Sequence, residues 1–419
     1  MEILDTVVVG AGQAGLGISF FLKRDGRRHV VLERGRIGES WLSQRWDSFS
    51  LNTPNFMSTL PGLPYDGLEP DGFWGSTELV TYFQRYVDHF QLPVQTGIEV
   101  LSVEQADDRV RFLVKTKDAA GTKQAWLTRS VVIAAGSQQR PRVPALLSRI
   151  PKYILQLHTA TYRRASVLPE GAVVVVGSGQ SGVQIAEDLL LAGRKVYLCT
   201  SRVGRVPRRY RGRDILEWWI DMKFLDVLYD HLEDKSTSRN PQPQVSGIGR
   251  RGHTLSLQSL HHRGAVILGG LLDVETGGFK ISDEAAPHVK FADAFSRRVK
   301  DEVDAWLRHS GVTLPQQETD LADVPDPHAE CVCSDLRLDP VKAKVGTLIW
   351  ATGFDADFSW IHLPVLDPQG KPVHTGGISP VHGLYFLGFP WLSSRKSGII
   401  YGVSQDAGRI ARAIGEQLG

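Results

Sequence analysis

Cysteine is scarce. The 419 residues hold three, Cys199, Cys331 and Cys333, and no two stand in a C-x-x-C spacing. That leaves no even disulfide framework and no dithiol redox pair, so a reducing compartment is expected. Excess charge of one sign is also lacking: 48 Lys and Arg against 46 Asp and Glu give a formal +2. Nothing in that balance implies bulk electrostatic attraction to nucleic acid or to an anionic membrane. No apolar run approaches the roughly 18 residues of a membrane span, and the first residues lack a basic-then-apolar leader, so the expected location is the cytoplasm. His261 and His262 have no second pair at ligand spacing, and Cys331 and Cys333, alternating in an apparent strand, have no Cys or His partners nearby, so no metal site is expected. With no nucleophile-and-base constellation either, the hard chemistry is left to a cofactor.

What the chain does have is one device twice. "VVVGAGQAGLG" (7–17) places Gly10, Gly12 and Gly15 in G-x-G-x-x-G spacing after a β-branched run, and "VVVVGSGQSG" (173–182) repeats it with Gly177, Gly179 and Gly182. In such a strand-turn-helix unit the first glycine makes the bend, the second admits a pyrophosphate to the backbone, and the third lets helix pack on strand. The two units differ at the end of the following strand. Glu33 lies 23 residues beyond Gly10, where a carboxylate accepts ribose hydroxyls; FAD fits this site, with NAD as the rival for this half alone. The same count from Gly177 reaches Thr200, followed by Ser201 and Arg202. Hydroxyls and a guanidinium in place of the acid suit a 2′-phosphate, so this half is expected to bind NADPH. Arg205, Arg208, Arg209, Arg211 and Arg213 crowd the next loop and read as further nucleotide-phosphate contacts, with a solvated face as the alternative.

"VVIAAGS" (131–137) and "TLIWATGF" (347–354) are both buried-strand runs that end in a small-small-glycine turn. The expected fold is therefore α/β, with two Rossmann-like dinucleotide-binding domains, the second inserted in the first. The FAD domain would take 1–145 plus 345–419 and the NADPH domain 146–344. Within the latter, a helical insert of about 214–310 opens on the apolar "DILEWWIDMKFLDVLYDHL", expected as one helix serving as a substrate lid or dimer contact, or else lying on a membrane surface. "RNPQPQVSGIGRRG" (239–252) reads as a mobile loop.

These motifs, with "ESW" (39–41), "NTPN" (52–55), "LHTATY" (157–162) and "GLYFLGFPW" (383–391), make the chain resemble the flavin-containing monooxygenases, in their bacterial CzcO-like branch. The resemblance covers almost the whole chain and implies site residues. Asn52 would stand beside the flavin, where an amide could hold an oxygen adduct; as Asn before Thr-Pro it is also a turn former. Trp41 would lie near the flavin, or in the core. His158 and Tyr162 match the end of the family fingerprint FxGxxxHxxxY, while Lys152 and Ile154 replace its aromatic residue and glycine. His158 would then couple the domains or simply pack between them. Thr352 and Gly353, in the second exit, count with the cofactor-binding residues. Gly402 and Val403 would open a helix whose amides face the flavin pyrimidine, with capping by Ser404 as the alternative. Arg395 and Ser397 would border the same site.

The implied activity is an FAD-dependent, NADPH-using monooxygenase that forms a flavin hydroperoxide and oxygenates a small organic molecule, with O2 as co-substrate. Tyr162 and Arg163, where a Baeyer–Villiger enzyme has a Trp-Pro pair, tilt the reading toward heteroatom oxygenation. Two alternatives stay open: an NADPH dehydrogenase or oxidase without oxygen insertion, and a non-catalytic redox sensor. A homodimer is the only assembly considered.

Overall fold

The structure is a computed structural model that describes residues 2–106, 111–313, 316–325 and 336–419. Cys331 and Cys333 lie outside these residues.

The first sheet starts with β1 (Ile3–Val9), β2 (His29–Glu33) and β3 (Val94–Thr96), which run parallel. An antiparallel meander follows, from β4 (Ile98–Gln105) through β5 (Phe112–Asp118) to β6 (Lys123–Ile133). The long β6 pairs with β5 along Lys123–Thr128 and lies parallel to β1 along Leu127–Ile133. Val7, Val8, Val131, Val132 and Ile133 are all fully buried. A parallel strand covered on both faces needs such an uninterrupted apolar run. Helices α1 (Gln13–Arg24), α2 (Glu39–Ser43) and α3 (Ser76–Phe90) follow the first two strands.

The chain leaves through a short β7 (Arg140–Pro141) and builds a second, all-parallel sheet. Here β8 (Leu155–His158), β9 (Ala172–Val176), α4 (Gln180–Leu191) and β10 (Val196–Cys199) repeat the strand-turn-helix-strand unit. A hairpin of β11 (Arg209–Tyr210) and β12 (Arg213–Asp214) leads to α5 (Ile215–Asp221) and α6 (Leu257–His262). Next come β13 (Val266–Leu268), β14 (Leu271–Glu275), β15 (Gly278–Ile281), the long α7 (Ala285–His309) and β16 (Arg337–Leu338). The last strand of the second sheet is β17 (Val345–Trp350). Then β18 (Phe354–Asp355) pairs antiparallel with β7, β19 (Leu384–Phe386) joins the first sheet beside β6, and α8 (Val403–Leu418) closes the described chain.

Four expectations are corrected. Return to the first sheet does not begin at 345: β17 lies between β9 and β8, in the order β13-β10-β9-β17-β8. A doubly buried strand looks the same in either sheet, so composition could not say which one held it. Nor is 214–310 a separate insert, because β13 pairs with β10 inside the second sheet. The apolar stretch from 214 is not one helix; α5 ends at Asp221 and Lys223 turns left-handed (φ 56°). Trp218 and Trp219 are buried, in a cluster with Met57 and with Val299, Val303 and Leu307 of α7. With both tryptophans buried against α7, and Glu217 and Asp221 on its outer face, α5 is a core-packing helix, not a surface lid. Lastly, 244–253 is pinned: Gln244 N–H donates to Gly204 O at 2.8 Å, Ile248 N–H to Glu187 Oε2 at 2.9 Å, and Gly247 N–H to His253 O at 2.8 Å.

Among the described residues, no helix is long and apolar enough to cross a membrane, and no three His, Cys, Asp or Glu gather as a metal set.

Candidate dinucleotide sites and the junction between them

The two glycine turns have the same geometry. Gly10 and Gly177 take φ of +104° and +110°, where a side chain is strained, and a Cβ on them would come within 2.6 Å of Ala134 O and 2.5 Å of Ala351 O. Gly15 and Gly182 pack so tightly on the carbonyls of Gly10 and Gly177 that a Cβ would overlap them. Gly12 and Gly179 are different: a Cβ there would meet no atom within 4 Å. Both are N-caps, of α1 and α4, and neither helix has a side-chain cap. Each turn therefore presents uncapped first-turn amides to open space over a glycine, which is the cradle a pyrophosphate needs.

The strand ends give the two cradles different chemistry. Glu33 accepts from Ala11 N–H at 2.9 Å through one oxygen and from Gly35 N–H at 2.8 Å through the other. In the second unit the brace is a hydroxyl: Ser178 Oγ accepts from Ser201 N–H at 3.0 Å. Thr200 is buried, and its hydroxyl donates to Leu268 O at 2.7 Å, so it has no group to offer a ligand. Ser201 and Arg202 are exposed; the Arg202 guanidinium stacks 4.3 Å over Phe291 and forms no ion pair among the described residues.

The arginine run is a correction. Arg205 is buried between Asp293 at 2.8 Å and Asp323 at 3.0 Å, and Arg208, also buried, pairs with Asp214. Arg211 holds Asp304 at 2.6 Å, Arg213 holds Glu217 at 2.9 Å, and Arg209 donates to Arg251 O at 2.8 Å. These guanidinium groups bind the protein itself, whereas Arg202 forms no ion pair among the described residues.

Residues 41–55 leave the first sheet and dock on the second. Trp46 is buried in the cluster with Tyr162 and Val183. Asn52 Oδ1 accepts from Gln184 Nε2 of α4 at 3.3 Å, and its main-chain carbonyl accepts from Arg208 Nη1 at 2.8 Å. The Asn52 side-chain amide nitrogen makes no hydrogen bond among the described residues, which leaves both its N–H donors for a ligand. Trp41 Nε1 donates to Gln13 Oε1 at 3.1 Å on the first turn of α1. Arg45, missed in the sequence, lies 4.9 Å over Trp41 and 5.4 Å over Phe49 and donates to Gln138 Oε1 at 2.9 Å. It has no carboxylate partner among the described residues, and burial pushes it down to about 10. No motif spacing flags such a residue; only the fold shows a cation set between the two halves.

The His158 ring is engaged within the protein. Its Nε2 donates to Gly353 O at 2.9 Å, its Nδ1 accepts from Ala160 N–H at 3.2 Å, and Phe354 packs edge-on against the ring. Both nitrogens are taken, so His158 packs as a strut between β8 and the segment leading to β18. Thr352, whose hydroxyl donates to Arg142 O, and Gly353 stand on that segment beside the second glycine turn, and not on the first sheet. Burial lowers His158 below the ordinary histidine value of 6.5 and shifts His29, His288 and His374 the same way. A depressed folded value favours the neutral ring, so this stability is full above the unfolded value and is lost as pH falls through the folded one. The melting temperature should therefore drop between pH 7.5 and 5. In a His158→Gln protein, whose amide donates to Gly353 O without titrating, the drop should be smaller; an identical drop in both proteins would contradict the strut.

At the far end, Gly402 is buried with its Cβ position filled by Lys396 O, and no side chain, Ser404 included, caps α8. Val403 fills the Cβ position of Gly17, which locks the start of α8 to α1 one turn beyond the first cradle.

Two sheets, each with an uncapped glycine cradle, meeting at a shared junction, define an oxidoreductase that handles two nucleotide cofactors. Residues 7–233 match the family model of the pyridine nucleotide-disulphide oxidoreductases. A CzcO-like oxidoreductase from Geobacillus kaustophilus is 31% identical over 97% of both chains. A flavin-containing monooxygenase from Stenotrophomonas maltophilia shares the fold at TM-score 0.64, with 20% identity and full coverage of both chains. So does an ornithine N-hydroxylase from a Kutzneria species, solved with reduced FAD, NADP+ and L-ornithine, at TM-score 0.63, with 15% identity and full coverage of both chains. The chain belongs to the pyridine nucleotide-disulphide oxidoreductase family and is an enzyme. The only cysteine among the described residues is the buried Cys199, which leaves the disulphide of the family's description without a counterpart there.

Proposed function

We propose that the chain is an FAD-dependent, NADPH-using monooxygenase acting on a small organic molecule. One observation carries the reading: two equivalent cradles end in opposite chemistry, Glu33 at the first and exposed Ser201 and Arg202 at the second. The acid suits the free ribose hydroxyls of FAD, and the cation suits the 2′-phosphate of NADPH. The likeness to a flavin-containing monooxygenase and to an N-hydroxylase supports oxygen insertion.

Bound in the first cradle, FAD supplies a hydride acceptor and a centre that reacts with O2. The chain's own residues position and enclose. Gly12 and the first turn of α1 would hold the pyrophosphate and Glu33 the ribose. Gly402 N–H and Val403 N–H are held by Ile399 O and Ile400 O, so the start of α8 would act on the pyrimidine edge through its helix dipole, and the Asn52 side-chain amide would donate to oxygen or water near the ring. Trp41, Phe49 and Trp46 exclude water from the junction.

Two measurements test the reading. In stopped flow, protein reduced with NADPH and mixed with oxygen should show an absorbance phase between reduced and oxidised flavin that outlasts mixing; immediate reoxidation with stoichiometric peroxide would make the enzyme an oxidase instead. Arg202→Gln should raise the Kd for NADPH about tenfold or more and leave NADH unchanged, because only one of them carries the phosphate. Equal effects on both would remove Arg202 from cofactor selection.

A further inference from the structure

Lys396 and Arg395 are adjacent cations treated in opposite ways. Lys396 Nζ has an acid, Asp226 Oδ1, at 2.5 Å. Arg395 forms no ion pair among the described residues, and its Nε is sealed from solvent without a hydrogen-bond partner. Its guanidinium lies between two rings, 4.0 Å over Phe224 and 4.8 Å over Trp391. Such rings hold a cation in place without neutralising it.

The backbone is committed to this arrangement. Arg395 N–H donates to Val227 O at 2.9 Å, Lys396 N–H to Leu225 O at 3.1 Å, and Tyr229 N–H to Ser393 O at 2.9 Å, so the 224–229 segment is zipped to the 393–396 turn. Trp391 adopts φ +55° while largely buried. That conformation costs a bulky residue energy and persists only where the surroundings impose it. The same turn supplies Lys396 O, which fills the Cβ position of Gly402, so Arg395 stands next to the residue that touches the start of α8.

We infer that Arg395 is the substrate-recognition cation of this enzyme and that the substrate is an organic carboxylate whose anionic end the guanidinium binds. Half-burying a guanidinium with no acid in contact is unfavourable, and Glu302 acts on Arg395 only at longer range, so a ligand acid would supply the missing partner. The planar, two-pronged donor matches a carboxylate. The assignment rests on the proposed placement of the flavin edge at the start of α8.

The test uses the FAD-loaded protein and pairs of compounds that differ only in charge: phenylacetate, phenylpyruvate and indole-3-acetate, each with its methyl ester. Binding is followed by quenching of tryptophan fluorescence and by perturbation of the flavin spectrum. In the wild type at least one acid should bind tenfold or more tightly than its ester; Arg395→Gln should erase the difference and Arg395→Lys keep part of it. Acid and ester binding alike across all three pairs, or a preference that survives in Arg395→Gln, would overturn the inference. So would loss of FAD from Arg395→Gln, because the cation would then serve the cofactor. Failure of the functional reading looks different: wild-type protein that takes up no FAD or is not reduced by NADPH, whatever the acids do.

Discussion

Valine at position 12 should yield a folded protein with less than about a tenth of the wild-type flavin, while valine at position 179 should leave the flavin bound and slow its reduction by NADPH about a hundredfold or more. Both outcomes follow from the empty space over these two glycines. A Cβ at either meets no protein atom within 4 Å, and their φ values of −87° and −66° are open to any residue, so the cost to the fold is limited to a poorer N-cap. The methyl groups would instead occupy the space a pyrophosphate needs. Alanine at Gly15 or Gly182 gives the contrast, because its Cβ overlaps a carbonyl and should lower stability along with cofactor content. Flavin absorbance per polypeptide, circular dichroism and anaerobic reduction rates separate the cases. A Gly12→Val protein with full flavin content would show that the first turn is not the FAD site.

Replacing Asp214 with alanine should cost about 3–5 kcal/mol of stability, as expected when one member of a buried ion pair is removed. Arg208 and Asp214 are 1% and 4% exposed. Burial already pulls the Arg208 guanidinium below its ordinary value, and Asp214 is its nearest compensation. The same carboxylate accepts from Leu216 N–H at 2.9 Å and so caps α5. Losing that cap adds about 1 kcal/mol. A double Arg208→Met and Asp214→Leu protein should recover much of the loss, because no uncompensated charge remains. Urea unfolding of the three proteins decides it; a single variant as stable as the wild type would mean that Arg208 is solvated. Asn52 should also loosen in the double variant, since Arg208 holds its carbonyl at 2.8 Å.

The arginine run shows where sequence stops informing. Arg205 and Arg211 find Asp293 and Asp304 on α7, far along the chain, so nothing near the run reveals that its charges are spent within the protein. The glycine turns were legible because their requirement is local: a bend, a close approach and a tight packing contact, each satisfied only by glycine within six residues. Spacing from those turns placed Glu33 and Arg202 at the strand ends, whereas Thr200 looked like a ligand until His288 and Leu268 were seen around its hydroxyl. The strand at 345–350 was misplaced because burial on both faces says nothing about which neighbours do the burying. His158 carried a motif, but a motif does not show that both ring nitrogens are already engaged.

Both crossings between the halves run side by side, β7 against β18, with Phe354 facing Pro141 and Asp355 facing Arg140. Two passages fastened together act as one tether, braced on one flank by the His158 contact to Gly353. Asn52 on Gln184 and Arg208, and the 224–229 segment zipped to the 393–396 turn, join the same halves elsewhere, so the covalent tether is one of three seams that set how the two cradles face each other.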